Sequence, residues 1–411
     1  MRRSIALLTI AAATLFLGFV TSAPVAVAQD GIRVVVPDSS IEHPEDIGVR
    51  AHTNYVFVIP DHVEIGDNGA PIGENPLSLS CIYHLVKQTK GCPKTSNVLP
   101  TGGSKAIAIV DAFDNADAVT DINTFAAAYG YGTPNFEVVK VGSPGSCGPP
   151  GWCPEESLDI EYSFGMAPNA KIYLVEAASN SFSDLLAAED KATALVQAAG
   201  GGEISNSWGA GEFSSETSYD SHFQGSGVVY FAAAGDTGGE VIYPSASPYV
   251  VSAGGTTIVR KSNGYFEEET GWGSTRGAEG AGGGPSQYES RPSYQNVIES
   301  IVGSSRGTPD ISAEASPVSY VVIYSELGCG GWCGVGGTSV ASPTLAGIVN
   351  AAGEFKTSTK AELTKAYKEY ASSTEYPKYF TNITLGTNGY ACATGWTYCT
   401  GIGSPKTLKG K

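Results

Sequence analysis

From about residue 104 onward, short apolar runs alternate with amphipathic stretches of helical length. The apolar runs are bounded by turn residues and cover residues 106–110, 136–141, 170–176, 202–207, 228–234 and 250–253. The amphipathic stretches cover residues 118–129, 155–166 and 182–199. This alternation predicts an α/β fold, with a mostly parallel sheet and helices on both faces. Ligands of such sheets bind at the carboxyl ends of the strands, so residues that follow a strand are the first candidates for chemistry.

Residues 30–100 lack this regular alternation. Two apolar runs, residues 34–36 and 55–59, predict strands, and turn residues such as Pro60 and Gly66 follow them. We therefore separate a short N-terminal, pro-like segment, residues 29–99, from one large domain, residues 100–411. The glycine-rich stretch 277–284 predicts a loop inside that domain, because it is too short to link two domains.

The first 28 residues have the features of a secretory signal peptide. Arg2 and Arg3 supply a positive start, an apolar stretch covers residues 5–20, and residues 26–28 read Ala-Val-Ala before Gln29. A membrane anchor needs about 20 apolar residues and no such cleavage site. The sequence therefore predicts an exported protein without a membrane anchor.

Charge excludes two classes of function. The chain has 411 residues, of which 24 are Lys or Arg and 41 are Asp or Glu, for a formal net charge of −17. A nucleic-acid binder or a protein held to anionic lipid would need a basic patch. Since 42% of the residues are hydrophobic, the chain can build a large core, and we expect a monomer.

The eight cysteines form four neighbouring pairs along the chain: Cys81 with Cys92, Cys147 with Cys153, Cys329 with Cys333, and Cys392 with Cys399. Eight cysteines allow 105 pairings, so the sequence does not fix the connectivity. Local pairing is the simplest prediction for an oxidising compartment. A metal site would need two closely spaced pairs with histidines, and only Cys329 and Cys333 come close to that spacing.

Ser339 is the candidate nucleophile. It follows Gly336, Gly337 and Thr338 at the start of an apolar helix, where backbone N–H groups and the helix dipole favour developing negative charge. The alternative is an ordinary helix cap, because Ser or Thr before a helix with proline in its first turn is common.

A serine nucleophile needs a base, and the five histidines are poorly placed for it. His43, His52, His62 and His84 precede the α/β region, and His222 lies in a polar stretch. Glu155 and Asp159 are the alternative, since residues four apart share one face of a helix. Two such carboxyls can share a proton, although acidic residues in a first helical turn also serve the helix dipole.

Asp236 follows an apolar strand in the sequence Ala-Gly-Asp-Thr-Gly. Asp-Thr-Gly is the signature of pepsin-like proteases, but that mechanism needs two such aspartates and this chain has one. A buried, protonated carboxyl can instead donate a hydrogen bond to an oxyanion, which would work only in acid.

Five motifs in order resemble those of the sedolisins, which are secreted serine-carboxyl endopeptidases with a subtilisin-like fold. They lie at residues 154–170, 205–209, 234–236, 308–312 and 336–343, and the resemblance covers about residues 100–405. It implies that Ser339 is the nucleophile, Glu155 the general base, Asp159 the residue that orients and charges the base, and Asp236 the oxyanion-hole acid. It also implies that Asp111 and Trp208 contact Glu155 and support it without touching the substrate.

Two features depart from the sedolisin pattern. Sedolisin zymogens carry a long folded prodomain, whereas only residues 29–99 precede the peptidase-like domain here. The calcium loop of the family would place its two carboxylates at Asn382 and Thr397, neither of which is acidic, next to Ile383 and Gly395. Calcium prefers charged oxygens, so we expect no metal and no other cofactor, with a Cys392–Cys399 disulfide in place of the ion.

The sequence thus predicts a secreted, acid-acting serine-carboxyl endopeptidase that acts on proteins or peptides through an acyl-enzyme. Unperturbed carboxyl pKa values predict an optimum between about pH 3 and 5. A subtilisin-type neutral protease would need a histidine whose glycine and threonine neighbours expose its imidazole. A pepsin-type protease would need a second Asp-Thr-Gly. A catalytically silent binding or structural homologue on the same fold is the alternative from another class.

Overall fold

The computed structural model describes residues 25–27, 31–148, 151–273 and 279–409, with backbone alone at 25–27. The predicted signal peptide, residues 1–28, therefore lies outside the described residues except for that short strand. In the part of the chain that is described, no helix is both long enough and apolar enough to cross a membrane.

The strands run in this order along the chain: β1 Val25–Val27, β2 Ile32–Val35, β3 His52–Thr53, β4 Val56–Pro60, β5 Ala106–Ala112, β6 Phe136–Val141, β7 Lys171–Ala177, β8 Gly202–Asn206, β9 Trp208–Gly211, β10 Val228–Ala233, β11 Ile242–Tyr243, β12 Val251–Arg260, β13 Phe266–Gly271, β14 Gly284–Ser290, β15 Ser305–Thr308, β16 Ile311–Glu314, β17 Val321–Ser325, β18 Gly331–Gly336, β19 Phe380–Thr381 and β20 Ser404–Pro405. The α-helices are α1 Pro76–Ile82, α2 Ala118–Ala128, α3 Cys153–Met166, α4 Phe182–Ala198, α5 Glu299–Val302, α6 Glu326–Cys329, α7 Thr338–Ala352, α8 Thr359–Tyr370 and α9 Tyr376–Tyr379. Short 3₁₀ turns lie at Asp38–Ser40, Glu216–Ser218, Asp220–Phe223, Ser293–Ile298 and Pro317–Ser319.

An eight-stranded sheet forms the centre of the fold, in the order β13-β12-β10-β8-β5-β7-β6, with β16 also paired to β12. All of its pairs are parallel except β12 with β13. This arrangement confirms the predicted α/β class. The helices that the sequence pattern indicated, α2, α3 and α4, connect β5, β6, β7 and β8 in turn.

Alternate residues of β5 show why helices cover both faces of this sheet. Ile107 and Ile109 belong to the core that α3 and α7 cover, whereas Ala108 and Val110 belong to a second core beneath α4. A strand buried on both faces has no polar face to leave in water, so it appears in the sequence as a continuous apolar run.

The predicted elements differ from the structure mainly at β12, which continues to Arg260 instead of ending at residue 253. Gly254 and Gly255 lie inside the strand, where neighbouring groups come close to its backbone. A Cβ atom on Gly255 would lie 2.8 Å from both Ala315 and Trp272, so glycine permits this packing. Helix α3 begins at Cys153, two residues before the predicted start.

The N-terminal segment is built into two further sheets. Strands β1, β2, β4, β18 and β17 form a five-stranded sheet in that order, and β3 joins β9 and β11 in another. Strand β4 pairs antiparallel with β18, which leads directly into α7, with Val56 opposite Gly336. The boundary at residue 99 remains a prediction, since residues 31–60 share sheets with the larger domain.

All four local cysteine pairs are disulfides, which confirms the local pairing. Their Cα–Cα distances are 5.4 Å for Cys81–Cys92, 5.1 Å for Cys147–Cys153, 6.1 Å for Cys329–Cys333 and 5.2 Å for Cys392–Cys399. No cysteine in the described ranges is free.

Candidate active site

Ser339 is the second residue of α7 and is fully buried. The residue that caps the helix is Gly337, which makes no side-chain cap hydrogen bond, so Ser339 is not an ordinary N-cap. Its hydroxyl donates to the carbonyl oxygen of Ser207 at 3.2 Å. Gly337 has a φ of 125°, a conformation that favours glycine, and this tight turn presents the start of α7 to the cleft.

Glu155 reaches Ser339 because α3 packs directly against α7. Every residue of α3 is buried, including Glu155 and Asp159. Burial raises the pKa of Glu155 well above its usual value, and the charge of Asp111 raises it further, whereas the Ser339 hydroxyl lowers it. Neither carboxyl oxygen of Glu155 has a hydrogen bond of regular geometry, which is common before substrate binding draws a base and a nucleophile together.

Asp159 and Asp111 complete a cluster of buried carboxyls around Glu155. Asp159 accepts a hydrogen bond from the Ser207 hydroxyl at 2.8 Å, and its pKa is raised by burial and then by Glu155. Asp111, near the end of β5, has a pKa raised by burial and then by Asp159. Carboxyls that raise one another's pKa in this way hold protons as a group.

Asp236 lies just beyond β10, on the other side of Ser339. Its Oδ1 accepts from the backbone N–H of Thr338 at 2.7 Å and from the Thr338 hydroxyl at 2.9 Å. Its Oδ2 is buried and has no hydrogen-bond partner. Burial raises the pKa of Asp236 to about 7, against the lowering effect of Thr338, so this carboxyl is protonated in acid and can donate from Oδ2.

Trp208 begins β9 and is fully buried. Its indole N–H donates to the carbonyl oxygen of Val110 at 2.9 Å, one residue before Asp111, and its ring lies edge-on to Phe182. Trp208 thus connects the start of β9 to the end of β5. A direct contact with Glu155 stays a prediction.

Three residues of the cleft were missed by the sequence reasoning. Ser207 contacts both Asp159 and Ser339, and Thr338 holds Asp236. Both lie in the motifs at residues 205–209 and 336–343, so the motifs indicated their positions in the cleft. The third is Asn54, whose carbonyl oxygen accepts from the backbone N–H of Ser339 at 3.1 Å, and nothing in the irregular segment around it indicated this contact.

Histidine does not serve Ser339 in the described part of the chain, where none hydrogen-bonds to it. His222 forms an ion pair with Asp190 at 2.8 Å when it is protonated, and the closest carboxyl partner of His52 is Glu42 at 4.0 Å. A carboxylate is therefore the candidate general base for Ser339.

The C-terminal loop does not fit a calcium ion. The side-chain oxygen of Asn382 already accepts from the Tyr376 hydroxyl and from the backbone N–H of Gly395, each at 3.1 Å. Ile383 is buried, and Thr397 pairs through its backbone with Gly401. No group of three or more His, Cys, Asp or Glu side chains with metal-binding spacing occurs among the described residues. A calcium site needs several charged oxygens, which this loop lacks.

Comparison with known proteins identifies the family of this chain. The model of the subtilase family matches residues 137–386. Kumamolisin from Bacillus sp. (strain MN-32) is 32% identical over 82% of this chain and 63% of its own length. Sedolisin from Pseudomonas sp. (strain 101) is 24% identical over 94% of this chain and 68% of its own length. The chain thus spans about two thirds of the length of these two relatives.

A solved structure extends the similarity to three dimensions. Pseudomonas sedolisin, a serine-carboxyl proteinase complexed with two molecules of pseudo-iodotyrostatin, superposes with a TM-score of 0.67 at 25% identity. The match covers 81% of this chain and 95% of that structure. The predicted fold and the resemblance drawn from the five motifs are both confirmed.

Proposed function

Because this chain belongs to the subtilase family and its relatives include sedolisin-type peptidases, we propose that it is a serine-carboxyl endopeptidase active in acid. One observation carries the proposal: at the start of α7, the hydroxyl of the buried Ser339 interacts with Glu155, and the preceding residue, Thr338, donates to Asp236. A serine with a carboxyl on one side and a protonatable donor on the other can be both activated and assisted.

In the proposed reaction, the Ser339 hydroxyl attacks the scissile carbonyl carbon while Glu155 takes its proton. The backbone N–H of Ser339 and the Oδ2 proton of Asp236 donate to the oxyanion that forms. Glu155 then gives its proton to the leaving amine, which leaves an acyl-enzyme on Ser339. Water, activated by Glu155, hydrolyses the ester, and Asp159 keeps the base region negative when it is ionised.

The pKa shifts indicate where this reaction should be fastest. Glu155 must be ionised to act as a base, and its raised pKa moves the acid limb upward from the value of a free carboxyl. Asp236 must be protonated, and its pKa of about 7 sets the alkaline limb. We therefore expect the optimum to lie below about pH 7 and above the range that unperturbed carboxyls predict.

The test is hydrolysis of an unfolded protein between about pH 2.5 and 8 by the wild type, Ser339→Ala and Glu155→Gln. We expect an acid-peaked activity that falls by at least about 10⁴-fold in both variants. Ser342→Ala is the matched control, because Ser342 is a buried serine one turn along α7 that hydrogen-bonds only to Ser205. Activity that survives in Ser339→Ala would overturn the mechanism.

Two alternatives give different results in the same experiment. A silent homologue would be folded yet inactive at every pH. A pepsin-type protease would keep its activity in Ser339→Ala and lose it to pepstatin, but the parallel α/β sheet already argues against that class.

Export and a monomeric state complete the proposal. Four disulfides fit an oxidising compartment, and residues 1–28 have the pattern of a signal peptide. Proteins or peptides are the proposed substrates, with neither nucleic acid nor a membrane as a partner.

A further inference from the structure

Strand β9 shows where a peptide lies when it is bound in the cleft. It pairs with β11 on one edge and with β3 on the other, where His52 is opposite Gly209. Two residues after His52, the carbonyl oxygen of Asn54 accepts from the backbone N–H of Ser339, the donor that the proposed reaction assigns to the oxyanion. Extended peptide ligands add a strand to a sheet edge in this way. His52 therefore marks the position of the third side chain of a bound peptide, counted back from the carbonyl group at Ser339.

An acidic pocket of about 490 Å³ lies beside the end of β9. The side chains that line it include three carboxyls, those of Glu42, Glu212 and Glu240, and the phenol ring of Tyr390. Among the described residues, no lysine or arginine lines this pocket. Carboxylates form strong, charge-assisted hydrogen bonds with ammonium and guanidinium groups, and an aromatic ring can add a cation–π contact. The chemistry of the pocket therefore favours a cationic occupant.

The His52 side chain lies near two of these carboxyls. Its Nε2 is 4.0 Å from Oε1 of Glu42, and the same oxygen accepts from the backbone N–H of Gly211 at 2.6 Å, at the end of β9. Burial and then the charge of Glu42 raise the pKa of Glu240, whereas the charge of His52 lowers it. A cationic ring at this position of the peptide thus interacts with both Glu42 and Glu240.

Of the three carboxyls, Glu240 is the one best placed to select a substrate. Glu42 belongs to the same N-terminal segment as the strand that lies on β9, so it is part of the occupant and not of the peptidase domain. Glu212 is held by β14, because its oxygens accept from the Ser286 hydroxyl and from the backbone N–H of Gln287. Glu240 lies in the loop between β10 and β11, which belongs to the peptidase domain.

We propose that Glu240 determines specificity and that the enzyme prefers substrates with lysine or arginine as the third residue before the cleaved bond. This inference rests on the proposed function. Both side chains are longer than that of histidine and can therefore enter the pocket further, toward Glu240 and Tyr390. A bound cation stabilises the ionised form of Glu240, as His52 does, so the ion pair can form in acid although burial opposes ionisation.

The experiment compares three peptides that differ only at this third residue, which is lysine, methionine or glutamate. Methionine is similar to lysine in length but carries no charge, and mass spectrometry of the products checks that the same bond is cut in all three. At about pH 6, where the glutamate of the peptide is ionised, we expect the wild type to show a kcat/KM at least about 5-fold higher for the lysine peptide than for the methionine peptide, with the glutamate peptide slowest. The difference should lie mainly in KM, because the ion pair is the same in the bound and transition states.

Two substitutions of Glu240 test its role. Glu240→Gln removes the charge and keeps the size of the side chain, and we expect the preference for lysine over methionine to fall to about 2-fold or less. Glu240→Lys should reverse the order, so that the glutamate peptide is cleaved faster than the lysine peptide. A merely structural role of Glu240 would lower all three rates alike. Glu267→Gln, at an exposed position of β13, removes the same charge elsewhere and should keep the wild-type preference.

Digestion of an added unfolded protein separates this inference from the proposed function. If the wild type digests that protein in acid but cleaves the lysine and methionine peptides equally well, the inference fails and the proposed function stands. A preference for lysine that persists unchanged in Glu240→Gln would assign it to another group and overturn the inference. If a folded wild type cleaves neither the protein nor the peptides, both fail together.

Discussion

Two of the sites with fully buried carboxyls, one in the cleft and one around Asp310, differ in the partners of those carboxyls. In the cleft, burial and then the charge of Asp111 raise the pKa of Glu155, and burial and then the charge of Glu155 raise the pKa of Asp159. Between β15 and β16, Asp310 is paired with Arg306 through two guanidinium nitrogens, one of them at 2.8 Å. Tyr367 and the backbone of Ser252 also donate to Asp310, at 2.8 and 2.9 Å.

The comparison shows that the partners of a buried carboxyl, and not burial alone, decide what the carboxyl does. A buried carboxyl with a fixed cation and two further donors can stay charged, and it then holds together the elements that supply those donors. A buried carboxyl whose neighbours are other carboxyls is poised to gain or lose a proton, which is what acid–base chemistry needs. The same residue type thus stabilises one region and leaves the other reactive.

The largest effect on stability should come from breaking the Arg306–Asp310 pair. Arg306→Met leaves a buried carboxyl without its cation, and we expect a loss of about 3–5 kcal/mol in the free energy of unfolding. Urea unfolding of the purified protein measures it. The double variant Arg306→Met with Asp310→Asn should recover part of the loss, because the lone charge is gone. A double variant no more stable than the single one would contradict this account of the pair.

In the cleft, Asp236→Ala should affect catalysis rather than folding. Loss of one oxyanion donor costs about 10²–10³ in kcat, or about 2.7–4 kcal/mol. Asp236→Asn is the matched control, since its amide can still accept from Thr338 and donate toward the oxyanion without titrating. We expect the alkaline limb near pH 7 to disappear in Asp236→Asn. An unchanged alkaline limb would assign it to another group.

A third buried carboxyl, Glu203, has an amide as its hydrogen-bond partner instead of a guanidinium or a nucleophile. It accepts from the Asn350 amide at 2.7 Å, and burial raises its pKa to about 8. A carboxyl with a raised pKa holds its proton in the folded state after the unfolded chain has lost it. Its contribution is therefore complete below about pH 4.5 and is lost as the pH rises toward about 8.

Glu203→Gln mimics the protonated form at every pH. Relative to the wild type, we expect it to be equally stable near pH 4 and more stable by about 1–2 kcal/mol near pH 7. Thermal unfolding across this range measures the difference. Glu267→Gln, at an exposed position of β13, removes the same charge and should leave the pH dependence unchanged. A similar gain in both variants would mean that net charge, not burial, is responsible.

Local sequence signals were sufficient for the elements of the central sheet. The runs that became β5 and β10 are buried on both faces, and such runs fit a doubly covered parallel sheet. The spacing of Glu155 and Asp159 likewise places both on one face of α3. The end of β12 could not be predicted, because what decides it is the packing of Ala315 and Trp272 against Gly255.

The sequence by itself determined the α/β class and the candidates Ser339, Glu155, Asp159 and Asp236, because each depends on periodicity, short spacing or a motif. It left the pairing of the eight cysteines open, and the structure shows that they pair locally. Only the tertiary structure decided that Asn54, far away along the chain, lies at Ser339, and that Arg306 pairs with Asp310 while Glu155 lies near the carboxyls of Asp111 and Asp236. Burial and partner choice arise from contacts between distant segments, so the charge state of a carboxyl is set by the fold and not by its neighbours in sequence.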